Sequence, residues 1–138
     1  MYKGIGFNRT ITFKWLNAAA NLRSQTADLA TIRQGLELVL LDDMKGVEAR
    51  RKTIDVLVNI WLKSGSVSPS LYKSALDLLP EISEPKRVWL HYGLILIYYP
   101  FFRQCTAIIG QIARVRDTFT RQMVKERLAG EMGHFGDL

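Results

Sequence analysis

The chain has 138 residues, of which 48% are hydrophobic and 23% are charged, a length and composition typical of one globular domain and not of a disordered chain. The net charge is +6, with 19 Lys and Arg against 13 Asp and Glu, which favours an anionic partner. One cysteine, Cys105, excludes an internal disulfide, and with two histidines it offers too few ligands for a typical zinc site. We therefore expect no metal and no cofactor.

Two amphipathic helices are predicted in the first third of the chain. The first runs from about Thr10 to Arg23, and the second follows Thr26, its candidate N-cap, and ends near Asp43. Apolar side chains recur at helical spacing in both helices: Ile11, Trp15, Leu16, Ala19 and Leu22, then Leu29, Ile32, Leu36, Val39 and Leu40. This spacing places them on one face of each helix, where they can form a core.

The third and fourth helices are predicted to be separated by a break. The third spans about Gly46 to Lys63, and Ser64-Gly65-Ser66 is expected to end it because glycine and serine are weak helix formers. Ser68-Pro69 then predicts a restart, since it combines a capping residue with proline at the first helical position. This short fourth helix stops before Pro80.

An unusually apolar fifth helix is predicted to start at Ser83-Glu84-Pro85. The segment Val88–Phe102 is almost entirely apolar, and a helix that is hydrophobic on every face is expected in the middle of a bundle. A bilayer span needs about 20 apolar residues, more than this segment offers, so we predict no membrane span. The N-terminus lacks the apolar stretch of a signal peptide, which predicts a cytoplasmic location.

The last third of the chain predicts two more helices. Pro100 either kinks the fifth helix or opens a sixth, which continues to about Val115, and a seventh begins after Thr120. No alternating β-branched run followed by a hairpin turn is present. The predicted fold class is therefore all-α: a single compact bundle of six or seven helices, in one domain over residues 1–138.

No catalytic motif accompanies these helices. A Walker-type phosphate loop, a serine nucleophile elbow, a His-Glu-x-x-His pair and a Cys-x-x-Cys pair are all missing from the sequence. His91 is interpreted as a buried hydrogen-bonding histidine, and the aromatic side chains around Pro100 are interpreted as core. We therefore predict that the protein is not an enzyme and acts by binding.

Lysines of the third helix form the first candidate binding surface. Lys45, Lys52 and Lys63 fall within about 40° of one another on an ideal helix, opposite its apolar stripe. Exposed ammonium groups spaced along a helix can follow a phosphate backbone. In the alternative interpretation this is a solvated face, on which Lys52 pairs with Glu48 and Asp55 at helical spacing.

Two arginines on the same helix have a different predicted role. Arg50 and Arg51 flank the apolar stripe, one on either side. A partly buried guanidinium needs a carboxylate partner, so we expect both to pair with acids such as Glu37, Asp42 or Asp43.

The second candidate surface lies on the sixth and seventh helices. Arg103 and Arg114 lie opposite the apolar stripe of the sixth helix, Arg116 projects back onto that stripe, and Arg121 and Lys125 are four residues apart on the seventh. Arg114, Arg116, Arg121 and Lys125 are predicted to line a basic groove at the corner between the two helices, and this groove is the preferred nucleic-acid site. The alternative is simple solvation of these charges.

Two stretches of sequence resemble a known family. They are Gly46-Val47-Glu48-Ala49-Arg50-Arg51-Lys52-Thr53, followed by Val56-Leu57 and Ile60-Trp61, and Tyr99-Pro100-Phe101-Phe102-Arg103 leading into Ile108-Ile109-Gly110. In order and spacing they resemble the BrxA family of bacteriophage-exclusion (BREX) defence systems. The resemblance covers about residues 10–128 and is a shared layout of helices more than a fixed motif.

This resemblance implies a small helical protein similar in fold to the NusB antitermination factor and associated with DNA binding. Phe119 to Leu128 resembles the first helix of a winged-helix unit, so residues 119–138 are expected to be the start of a truncated appendage of that kind. Without a recognition helix, reading of DNA by a winged helix does not carry over to this chain.

The leading hypothesis is a non-enzymatic nucleic-acid-binding protein, with DNA favoured over RNA, that serves as an accessory factor of phage defence beside other defence-system proteins. The rival hypothesis is a protein-interaction subunit that docks on a larger partner without touching nucleic acid. Its candidate surfaces are Trp15, the fourth helix and the C-terminal residues.

Overall fold

The computed structural model describes residues 10–114 and 120–132, with side chains as far as Arg127. Every regular element in these ranges is helical, so the predicted all-α fold class is confirmed. The elements in chain order are α1 (Phe13–Gln25), α2 (Leu29–Leu40), α3 (Val47–Val58), a π-helical turn (Asn59–Lys63), α4 (Ser64–Val67), α5 (Pro69–Leu78), a 3₁₀ turn (Glu84–Arg87), α6 (Val88–Tyr98), α7 (Pro100–Ala113) and α8 (Arg121–Met132).

The elements from α3 through the π turn to α4 follow one another without a gap. Counted as one helix, they bring the described residues to seven helices, within the predicted number. The chain divides between Tyr98 and Tyr99 into two compact units. We call them the N-terminal unit (residues 10–98) and the C-terminal unit (99–114 and 120–132). The single domain predicted over residues 1–138 stays a prediction.

Side-chain caps explain where several helices begin. The Thr12 hydroxyl accepts a hydrogen bond from the Trp15 amide at 3.2 Å, and the Asp28 carboxylate accepts one from the Thr31 amide at 3.0 Å. The predicted cap of the second helix, Thr26, was wrong. Its backbone N–H instead closes the end of α1 by donating to the Leu22 carbonyl, so the next acceptor along the chain, Asp28, caps α2.

The predicted break at Ser64-Gly65-Ser66 was also wrong, because the π turn carries the helix through it. The Ser64 amide reaches back to the Asn59 carbonyl, and carbonyls that a wider turn leaves free receive side-chain donors. The Ser64 hydroxyl donates to the Ile60 carbonyl at 2.6 Å, and the Tyr72 hydroxyl donates to the Trp61 carbonyl. These two hydrogen bonds, the first local and the second from α5, outweigh the weak helix propensity of glycine and serine.

The core of the N-terminal unit forms where α1, α2 and α3 pack against one another and the π turn packs against α1 and α6. Leu36, Leu57, Ile60 and Trp61 are at most 1% exposed.

The apolar helix α6 is not buried on every face, contrary to the prediction. Its buried residues are His91 and Leu94, whereas Trp89 is 71% exposed and Val88 is 45% exposed. An even apolar pattern cannot indicate which face will be covered. The choice is made by the neighbouring elements, since α4, α5 and the π turn contact α6. Pro100 opens α7 as its first residue and does not kink α6.

Candidate nucleic-acid interface

The three lysines predicted to share one helical face do not share one regular helix. Lys45 lies before the first residue of α3, and Lys52 is exposed within it. An uninterrupted α-helix would place Lys63 within about 20° of Lys52. The π turn, which ends at Lys63, changes that angle by up to about 100°, one residue's rotation. All three lysines are exposed, but they form separate points of charge.

The carboxylates near these lysines are held by arginines. Arg51 pairs with Glu48 and also with Asp55 at 3.1 Å, and Arg33 pairs with Asp55 at 2.9 Å. The Arg51 hydrogen bond lowers the pKa of Glu48. The alternative in which Lys52 takes these two acids is therefore wrong, because among the described residues Lys52 makes no ion pair.

Arg50 and Arg51 differ in role. Arg50 is buried, pairs with Glu37 as predicted, and donates to the Met44 and Lys45 carbonyls at 2.9 Å each. These bonds hold the segment between α2 and α3. Arg51, with half of its side chain exposed, does not pair with the acids predicted for it, because its own helix supplies nearer ones.

A small apolar core holds α7 against α8 in the C-terminal unit. Phe101, Ile108 and Ile112 of α7 are buried, and Met123 and Val124 of α8 pack against them. The Thr120 hydroxyl caps α8 by accepting a hydrogen bond from the Met123 amide at 3.1 Å. We call these two helices the C-terminal helix pair.

The predicted basic residues of this pair point away from its core. On α7, Arg103 and Arg114 are exposed and lie within about 20° of each other, about 140° to 160° from the buried face. On α8, Arg121 is exposed and Lys125 is half-buried. They lie within about 40° of each other, more than about 100° from the mean direction of Met123 and Val124. The two basic pairs thus lie on the outer faces of the helices, and not in a groove between them. Arg116 lies outside the described residues.

Basic side chains outnumber acidic ones in the last third of the chain. Residues 99–138 contain six Lys and Arg against four Asp and Glu, and the described side chains among them include Arg103, Arg114, Arg121, Lys125, Arg127 and Glu126. All six ion pairs among the described residues lie in the N-terminal unit. Arg103 and Arg114 therefore remain exposed cations without a carboxylate partner in the described part of the chain.

His91 belongs to a buried hydrogen-bond network and not to a cleft. Its Nδ1 accepts from the Trp61 indole N–H at 2.9 Å, and its Nε2 lies 2.8 Å from Asn17 Oδ1. Asn17 Nδ2 in turn donates to Glu84 Oε1 at 3.2 Å. Since Nδ1 is an acceptor, the ring is neutral with its proton on Nε2. Burial, and secondarily the charge of Arg87, lower the pKa of His91 from 6.5 to about 4.

The remaining candidate groups are structural where the chain is described. Trp15, a predicted docking residue, is buried, and its indole N–H donates to Asp43 at 2.9 Å. Tyr99 and Phe101 are buried, as expected for core aromatics.

No group of three or more His, Cys, Asp or Glu in the described ranges is placed to hold a metal. No single helix in those ranges is long and apolar enough to cross a membrane, although two consecutive helical segments, Glu84–Tyr98 and Pro100–Ala113, meet the length and composition criteria together.

Two arginines that no sequence pattern marks line the same cleft in the N-terminal unit. Arg23 and Arg87 line one cleft, although α1 and the 3₁₀ turn are far apart along the chain. Asn21 and Arg87 are hydrogen-bonded across a separation of 66 positions. No local pattern in a single sequence reports such a contact.

No family model, curated protein or solved structure matches this chain. The case for a function therefore depends on its own residues.

Proposed function

We propose that this protein binds the phosphate backbone of nucleic acid, with DNA favoured over RNA, and catalyses no reaction. The basic outer faces of the C-terminal helix pair are the principal surface, carried by Arg103, Arg114, Arg121 and Lys125, with Arg116 between them in sequence. The separate lysines of the N-terminal unit are auxiliary phosphate contacts: Lys45, Lys52 and Lys63.

The observation that carries this proposal is the exposed positive charge of the C-terminal helix pair, where Arg103 and Arg114 have no described carboxylate partner. An exposed, unpaired guanidinium keeps its full charge for an external anion, and it releases counterions from DNA when it binds a phosphate. Arg103 and Arg114 stand about 16 Å apart along α7, at 1.5 Å per residue. That separation corresponds to about five phosphates of one strand at 3.4 Å each.

The expected recognition is insensitive to sequence. Long basic side chains on phosphates fix the position of a protein on the duplex but do not read base edges. We assign no described helix to a groove of the duplex, where its side chains could read the bases. We therefore expect similar affinity for duplexes of different sequence. The family resemblance suggests a setting in phage defence beside other defence-system proteins, within the cytoplasm.

Salt-dependent binding tests the proposal directly. Fluorescently labelled duplex DNA, duplex RNA and single-stranded DNA are titrated with the full chain at several salt concentrations between about 50 and 200 mM. We expect binding whose log K falls linearly with log salt, by about 0.9 for each phosphate contact. The double variant Arg103→Gln, Arg114→Gln should reduce that slope by about 2, and Arg121→Gln, Lys125→Gln should do the same.

The matched control is Lys73→Gln, which removes an exposed cation that is already paired with Asp77. It should leave the salt slope unchanged. Absence of binding at about 50 mM salt, or binding that does not respond to salt, would contradict phosphate contacts. Equal losses in the control and in the arginine variants would show that only net charge matters.

A second candidate function is that of a protein-interaction subunit, and a specific observation favours it. Trp89 on α6 is 71% exposed and Leu71 on α5 is 59% exposed, and exposed aromatic and large apolar side chains are typical anchors of docking surfaces. Co-purification of a defined partner, lost in a Trp89→Ser variant, together with no affinity for nucleic acid, would favour this function over the first.

A further inference from the structure

A cleft of about 430 Å³ opens on the N-terminal unit between the end of α1 and the end of α5. One wall is polar, with Asn21, Arg23, Ser24 and Arg87, and the other is apolar, with Leu76, Leu79 and Pro80. A volume of this size accommodates a small organic ligand, and an apolar wall facing a few polar groups is the usual construction of such sites.

Arg23 is held in place by a tyrosine. Its Nε donates to the Tyr72 hydroxyl at 2.9 Å, and its guanidinium lies 5.7 Å from the centre of the Tyr72 ring. Tyr72 is itself anchored to the Trp61 carbonyl. The two terminal nitrogens of Arg23 have no partner among the described residues, so one fixed edge of the guanidinium is left for a ligand.

Arg87 is held by a different contact, and a different edge of its guanidinium group has no partner. Its Nη1 donates to Asn21 Oδ1 at 3.0 Å, while its Nε is buried without a hydrogen-bond partner in the described structure. Nε and Nη2 form the side edge of a guanidinium, the edge that binds two oxygens of a carboxylate or phosphate. A buried N–H without an acceptor is unfavourable. Because this Nε is closed to an atom of water size, the Arg87 side chain must shift before an oxygen that enters the cleft can satisfy it.

We propose that this cleft binds a phosphoryl group, with Arg23 and Arg87 each presenting one guanidinium edge to its oxygens. A phosphate dianion matches two cations, and its three free oxygens can serve both edges at once, which a single carboxylate cannot do. Leu76, Leu79 and Pro80 would contact the apolar part of the molecule that carries the phosphate. The carbonyl ends of α1 and α5 oppose an anion, so the two guanidinium groups are required together.

Two kinds of ligand carry such a phosphate: a free mononucleotide and a nucleic-acid strand with a terminal 5′-phosphate. The site lies in the N-terminal unit and does not depend on the C-terminal helix pair. Its test is calorimetric titration of the full chain with inorganic phosphate, adenosine 5′-monophosphate and adenosine. Single strands with a 5′-phosphate or a 5′-hydroxyl are titrated in parallel, and the Arg Nε–H signals are followed by NMR.

We expect adenosine 5′-monophosphate to bind at least about tenfold more tightly than adenosine, as loss of a charge-assisted pair requires, and the Arg87 Nε–H signal to shift. Arg87→Lys keeps the positive charge but loses the paired N–H donors of the guanidinium edge, and it should weaken binding about tenfold. The control Arg33→Gln lies on α2, outside the cleft, and should change nothing. The double variant Arg103→Gln, Arg114→Gln should also leave this binding unchanged, which separates it from backbone binding.

A preference of about tenfold for the 5′-phosphorylated strand over the 5′-hydroxyl strand assigns the ligand to strand ends. Mononucleotide binding without that preference assigns it to a free phosphate. The proposal is overturned if no phosphorylated probe binds better than its unphosphorylated counterpart. It is equally overturned if binding survives unchanged in Arg87→Lys and in a folded Arg23→Lys, Arg87→Lys variant.

Discussion

The buried ring of His91 should make the protein lose stability in mild acid. The Trp61 N–H already occupies Nδ1, so a second ring proton would face a donor in a site where water does not reach. Burial, and after it the charge of Arg87, lower the pKa of His91 to about 4 in the folded chain, against 6.5 for a free ring. Because the unfolded chain takes up the proton first, stability is fully present above pH 6.5 and falls as the pH is lowered towards 4.

The size of this effect follows from the shift of the pKa. Each pKa unit corresponds to 1.36 kcal/mol, so a shift from 6.5 to about 4 predicts a loss of about 3 kcal/mol between those limits. Asp28, Asp43 and Glu48 also have lowered pKa values. Their contribution to stability changes only at pH values below the ordinary range in which carboxyl groups titrate. Measurements between about pH 7.5 and 5 therefore isolate the histidine, and they should show about 2 kcal/mol of this loss, because pH 5 lies about 1.5 units below 6.5.

Urea denaturation followed by circular dichroism, at half-unit steps of pH, gives the free energy of unfolding. The matched variant is His91→Gln, which can still donate and accept but does not titrate. Its free energy of unfolding should be flat across this range, apart from any contribution of His134, which both proteins share. If wild type and variant lose stability in parallel, the buried histidine is not the cause and the reasoning fails.

Three further variants and one reactivity test address other parts of the fold. Arg50→Met should lower the free energy of unfolding by about 1–3 kcal/mol in urea denaturation, because two backbone carbonyls lose their donor; an unchanged midpoint would contradict this. Gly65→Ala should destabilise by a similar amount, about 1–3 kcal/mol, since its Cβ would lie 2.8 Å from the Tyr72 ring. Gly93→Ala, with nothing within 4 Å of the new Cβ, should instead stabilise α6 by up to about 1 kcal/mol; equal effects of the two substitutions would refute the packing argument. Burial raises the pKa of Cys105, so iodoacetamide should alkylate it more slowly than a free thiol at pH 8, and more quickly once urea unfolds the chain.

Periodicity and capping chemistry were enough to predict the helices but not their ends or their exposed faces. The helix starts at Pro69 and after Thr120 follow from local chemistry, and both are confirmed. The capping role predicted for Ser68 was wrong, because its side chain makes no capping hydrogen bond. The Ser64-Gly65-Ser66 break failed because the Ser64 hydroxyl bonds back to the Ile60 carbonyl and Tyr72, on the next helix, supplies a second donor. The Tyr72 hydrogen bond joins two helices, and it leaves no trace in a local pattern.

The candidate sites, like the helices, could be predicted from the sequence only in part. Unpaired positive charge on α7 could be anticipated from helix geometry, because Arg103 and Arg114 oppose an apolar stripe. The partner of Arg51 could not, since several acids lie at reachable spacings. The cleft of Arg23 and Arg87 depends on a contact between segments distant in sequence, which composition and spacing do not encode.

The π turn at Asn59–Lys63 has a consequence for insertions and deletions in this chain. It holds one residue more than a regular helical turn would, so deleting one residue inside it would convert it to an ordinary α-helical turn and leave the helix beyond it facing as it does now. The Trp61 carbonyl, which accepts from the Tyr72 hydroxyl, would then be taken by a backbone donor, and this side-chain anchor would be lost. A deletion within the regular turns of α3 removes no extra residue, so it would rotate the rest of that helix by about 100°. Single-residue deletions should therefore be tolerated better inside the π turn than in the regular turns before it.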